Sequence, residues 1–83
     1  MEYALLIARS LTRAQRMWRR LQNSGIRAEL RKAPVGLTDL GCSYALQLPV
    51  QRLEEALRIL QYADLSPASV WIREENRYRE WKQ

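Results

Sequence analysis

Eighty-three residues make one domain, near the lower size at which a single hydrophobic core holds without disulfides or metal. One cysteine excludes an internal disulfide, and the lack of any histidine excludes a Cys-His nucleophilic pair, a histidine general base and a Cys/His zinc site together. The net charge of +5, from fourteen basic residues of which all but Lys32 and Lys82 are arginine, is able to hold an anionic ligand or RNA, although a solvated arginine-rich surface is the simpler account.

No apolar stretch approaches a membrane span and no leader pattern opens the sequence, so the expectation is a soluble, reduced, cytoplasmic protein. With no covalent staple, the chain must bury its apolar residues efficiently or share them, and a homodimer is one way to share them.

In chain order, Tyr3 to Ala8 is a short and nearly continuous apolar run, the pattern of a central strand. Thr12-Arg13-Ala14-Gln15 has the form of a capping box, and Leu11, Ala14, Met17, Trp18 and Leu21 follow at helical spacing. Gly25 suits the left-handed position that closes this first helix. Trp18, on the same stripe, reads as core edge rather than as a ligand stack. Ile26 to Arg31 alternates strictly, which predicts a second strand with one wet face. From Lys32 to Gly41 the pattern breaks into a long loop containing Pro34 and two glycines.

A third strand is predicted to follow, with Tyr44, Leu46 and Leu48 on one side, and to stop at Pro49, where a second helix begins. That helix has the stripe Val50, Leu53, Ala56, Leu57 and Leu60. Its adjacent Glu54 and Glu55 point about 100° apart and read as solvated charges. Ser66-Pro67 is a turn, and Val70-Trp71-Ile72 reads as a fourth strand. Residues 1–73 would then be the folded domain and 74–83 a polar tail, in which the spacing of Tyr78 and Trp81 allows a short helix. Trp71, on an edge or neighbouring strand, is as well placed to pack under that tail against Tyr78 or Trp81 as to offer a stacking ring.

The order βαββαβ, with two helices burying their stripes on one face of a four-stranded antiparallel sheet, predicts a ferredoxin-like α+β sandwich. In such a sandwich the first and third strands are central neighbours, so Arg9 and Ser10 fall beside the end of the third strand that follows Cys42. A free thiol has a pKa of about 8.5 and needs a cation or a helix N-terminus to become a thiolate near neutrality. Arg9, Lys32 and the backbone amides from Ser10 to Arg13 are candidates to supply both. A thiolate without a neighbouring base suits sulfur or selenium transfer better than acyl hydrolysis. On spacing alone, a small buried hydrophobe is the favoured reading of Cys42.

The apolar first strand running into Arg9-Ser10-Leu11-Thr12-Arg13-Ala14, then Asn23-Ser24-Gly25-Ile26, Ala33-Pro34 and Gly41-Cys42-Ser43-Tyr44-Ala45-Leu46, resembles the putative selenium/sulfur carrier protein-like family over roughly residues 3 to 73. The resemblance implies that Cys42 carries sulfur or selenium as a persulfide-like adduct handed between sulfur- or selenium-transfer proteins. It further implies close backbone approach at Gly41, whereas Ser43 departs from the family pattern, in which a glycine often follows the cysteine, and offers a hydroxyl to an anionic sulfur instead; no cofactor and no metal are expected. Such a chain is a carrier or binding protein rather than a stand-alone enzyme. Two other readings stand beside it. One is a ligand- or protein-binding module in which Cys42 is incidental. The other is RNA binding on the open sheet face, where nucleic acid is the less expected partner because Ser43, Ala45 and Gln47 make a poor stacking platform.

Overall fold

The structure is a computed structural model that describes residues 2–37 and 43–82. Seven regular elements follow one another, with a single 3-10 turn at Val50–Arg52. They are β1 (Tyr3–Ala8), α1 (Leu11–Asn23), β2 (Glu29–Lys32), β3 (Tyr44–Pro49), α2 (Leu53–Tyr62), β4 (Ser69–Glu74) and β5 (Arg77–Trp81). All five strands form one antiparallel sheet in the order β2-β3-β1-β4-β5. The protein is thus an α+β structure of two helices and a five-stranded sheet, not the expected four-stranded one.

The strand at the centre explains its own sequence. β1 pairs with β3 on one side and β4 on the other, and both of its faces are covered. Ala4, Leu6 and Ala8 face the helices, where Ala14, Met17 and Leu21 of α1 and Leu53, Ala56, Leu57 and Leu60 of α2 close the main core with Leu46, Leu48, Val70 and Ile72. Leu5 and Ile7 point the other way and are equally buried, with Ala45, under Ala33, Leu37 and Trp71. A strand covered on both sides has no position for a polar residue, so no alternation is seen.

Both helices end in the same way. After α1, Gly25 takes φ +82° and the amide of Ile26 reaches back to the Leu21 carbonyl at 2.9 Å. After α2, Asp64 takes φ 59° and the amide of Leu65 reaches the Leu60 carbonyl at 2.8 Å. This left-handed closure satisfies carbonyls the helix leaves open, and glycine adopts it without the penalty a β-carbon brings. The glycine signal made the first closure legible; Asp64 concealed the second.

β2 is shorter than its alternating sequence. Ile26 and Ala28 are buried as expected, but the ladder starts only at Glu29. The Trp18 indole donates to the Ala28 carbonyl at 2.8 Å, so that carbonyl bonds to α1 instead of to the sheet. Trp18 is half-buried against the core, the edge position its spacing indicated.

The tail is corrected from a short helix to a strand. Glu74 pairs with Arg77 across a two-residue turn in which Glu75 has φ 53°, and β5 covers the free edge of β4. Strand parity separates the residues whose spacing suggested a helix. Trp81 lies opposite Val70 and packs on the main core, whereas Tyr78 lies opposite Arg73 on the other face. Trp71 shares Tyr78's face and packs on Leu5, Ile7 and Ala45, so it is not stacked with Trp81. On α2, Glu54 is exposed, and Glu55 is not merely solvated: it pairs with Arg52 at 2.7 Å.

Arg79 donates to Glu74 at 2.7 Å, and this hydrogen bond holds the Glu74 carboxyl below its usual range. A depressed carboxylate stabilises the fold above its unfolded value and loses that contribution as pH falls through the folded value. Protection factors of the β5 amides should therefore drop across that acidic window, and a Glu74→Gln variant should show no such step. An identical acid response in the variant contradicts the assignment. Asp64→Gly should raise unfolding free energy by about 0.5–1 kcal/mol, whereas Gly25→Ala, which meets nothing within 4 Å but keeps a positive φ, should lower it by about 1 kcal/mol. Urea midpoints at unchanged slope measure both.

Candidate functional site

Three chain segments meet at one end of the sheet. Ala8, the last residue of β1, pairs with Tyr44, the first of β3, and Lys32, the last of β2, pairs with Tyr44 from the other side. One step further, the Ala33 amide donates to the Ser43 carbonyl at 3.0 Å, which pins both bases of the long loop to each other. Ser43 is buried, at 8% exposure, while Arg9 and Ser10 leave β1 into solvent at the same end. Of the expected site residues, Arg9, Ser10 and Ser43 are therefore brought to one corner, with Lys32 beside them. Gly41 and Cys42 lie outside the described residues; Cys42 is the residue that precedes Ser43 in the chain.

Helix α1 begins at this corner, and its cap differs from the expectation. The Ser10 hydroxyl, on an extended backbone at φ −142° and ψ 156°, accepts from the Arg13 amide at 3.1 Å, and the Ser10 carbonyl accepts from the Ala14 amide at 3.0 Å. The cap is Ser10, not Thr12, because the helix starts two residues earlier than the capping box indicated. The amide of Arg13 is thereby satisfied within the helix and drops out of the set expected to face an anion. The Arg13 guanidinium instead reaches the Ser66 carbonyl at 3.2 Å and ties the start of α1 to the turn before β4. Nothing in the sequence links these residues, which stand 53 positions apart.

Among the described residues the corner carries two exposed cations, Arg9 and Lys32, and neither takes part in the ion pairs among the described residues, which join Arg31 to Glu29, Arg52 to Glu55 and Arg79 to Glu74. Cations and the start of a helix both favour an anion placed among them.

The first half of the loop lies against the sheet face opposite the helices. Gly36, at φ +93°, turns the chain after Pro34 and Val35, and Leu37 packs with Ala33 over Leu5, Ile7 and Ala45. The middle of that face is closed, so the expectation of an open sheet surface is corrected there. Tyr3, Trp71 and Tyr78 remain partly exposed towards β4 and β5, among charges of both signs.

If Ser10 is the cap, Ser10→Ala should cost about 1 kcal/mol of stability, whereas Thr12→Ala should stay within about 0.5 kcal/mol. Thermal unfolding of the two variants decides between the positions, and the reverse order contradicts the geometry.

Comparison with curated proteins and with solved structures gives no match. One family model does match, over residues 3–72, from the first residue of β1 to the middle of β4 and through the whole corner described above. With 70 of its 83 residues so matched, the chain belongs to the family described as Putative Se/S carrier protein-like.

Proposed function

We propose that the protein carries sulfur or selenium on the thiol of Cys42 and passes it between partner proteins. The observation that carries this reading is the register of β1 with β3, which brings Arg9, Lys32 and the start of α1 to the end of the sheet at Ser43, the neighbour of Cys42 in the chain. Membership of a family named for chalcogen carriage supports it. The fold is then a ferredoxin-like βαββαβ sandwich over residues 1–73, with residues 74–83 as an appended segment whose β5 extends the sheet at β4.

The chemistry asks little of the surrounding side chains. The Cys42 thiolate attacks the terminal sulfur of a donor persulfide; a new S–S bond forms at Cys42, the donor S–S bond breaks, and the donor leaves as a thiolate. The transferred sulfur keeps its oxidation state, so no external oxidant or reductant is required. An acceptor nucleophile repeats the exchange and returns Cys42 as a thiolate; a selenium atom moves in the same way. Activation needs only a larger thiolate fraction, which nearby positive charge supplies, and a chain without histidine is no obstacle to it.

Protein purified without reductant, and then treated with a low-molecular-weight persulfide, is expected to gain the mass of one sulfur atom confined to the peptide containing Cys42. The adduct should disappear with thiol reductant and be absent from Cys42→Ser. A thiol that is alkylated readily in the native protein yet never acquires the adduct favours the binding-module reading instead.

A further inference from the structure

Arginines from both helices line one groove on the helical side of the molecule. Arg13, Arg16, Arg19 and Arg20 of α1 face the segment that closes α2, and past Arg20 the groove continues to Arg58 and Tyr62. α1 contains these four arginines and no acid. Like charges three and four residues apart repel along a helix, and a cation in the first turn opposes the helix dipole. No ion pair among the described residues offsets this, since none includes these five arginines. Asp64 lines the groove, and Arg13 gives one donor to Ser66. Tyr62 is 92% exposed and stands four residues after Arg58, on the same face of α2.

We propose that this groove binds single-stranded nucleic acid, with the arginines on successive phosphates and the Tyr62 ring as a stacking surface for a base. Guanidinium forks match phosphate oxygens in pairs, and proteins that hold single strands combine a cationic track with exposed aromatic rings. An acidic protein surface would answer the charge but leaves the bare tyrosine ring unused. The sheet face has aromatics too, yet its charges are of mixed sign: Glu80 lies opposite Trp71, and Arg31 is paired to Glu29. It offers no continuous phosphate track. The fold alone assembles the groove, from positions 13 to 65 of the chain, and the proposal stands apart from the chemistry of Cys42.

Fluorescence anisotropy with labelled oligouridylate, its oligothymidylate counterpart and a duplex of equal length tests it. If three or four phosphates are neutralised, log affinity for the single strands should fall against log salt with a slope of about −2 to −3 between about 50 and 200 mM. The double variant Arg16→Glu/Arg20→Glu should weaken binding at least tenfold and flatten the slope. Arg31→Glu/Arg77→Glu, the same change in net charge placed outside the groove, should not. Tyr62→Ala should weaken binding by about tenfold at unchanged slope. Equal affinity for RNA and DNA is the expected result of backbone and stacking contacts, and a preference for RNA adds recognition of the 2′-hydroxyl to the same groove. No binding at low salt, equal losses in both double variants, a preference for duplex, or polyglutamate competing as well as the oligonucleotides overturns the proposal. Circular dichroism confirms that the exposed substitutions leave the fold intact.

Discussion

β1 and β3 pair along six residues, from Tyr3 with Pro49 to Ala8 with Tyr44, and both strands are central in the sheet. Because side chains alternate across a strand, a slip of one residue would move Leu46 and Leu48 away from the helices and carry Ala45 into their place. The same register determines which residues leave the ladder together. Arg9 and Ser43 depart at one end, Lys32 joins them through its pairing with Tyr44, and α1 starts from Ser10 immediately afterwards. The corner is thus a consequence of the core.

Two-sided burial is how so short a chain manages without a staple. The helices cover one face, and the base of the long loop, with Trp71, covers Leu5, Ile7 and Ala45 on the other. The loop that leads towards Cys42 is therefore anchored by apolar contact at Leu37 and by the Ala33–Ser43 hydrogen bond, so its bases share the rigidity of the sheet.

Much of this was readable from residue patterns. The apolar run at Tyr3–Ala8, the glycine closure at Gly25 and most of both helical stripes each have one physical interpretation that the structure follows; Leu11 is the exception in the first stripe, being exposed, and Val50 in the second, lying in the 3-10 turn before α2. Where two interpretations competed, pattern alone chose poorly. Ser10 and Thr12 are both acceptable caps two residues apart; the spacing of Tyr78 and Trp81 fits one helical turn as well as it fits a strand; and the alternation of Ile26–Arg31 could not show that Trp18 would take the Ala28 carbonyl. At the corner, Arg9, Ser10 and Ser43 could be inferred because central neighbours in a sheet are predictable from element order. The reach of Arg13 to Ser66, and the convergence of α1's arginines with Tyr62, depend on how the helices lie side by side, which local sequence does not encode.

In the proposed carrier, positive charge at the end of β1 acts on the residue that precedes Ser43. The pH dependence of Cys42 alkylation in the native protein reads that effect directly, with Arg9→Ala/Lys32→Ala as the comparison. The account predicts a midpoint below the value of about 8.5 of a free cysteine, moved back towards it in the double variant. A midpoint at or above the free value, insensitive to both cations, contradicts it.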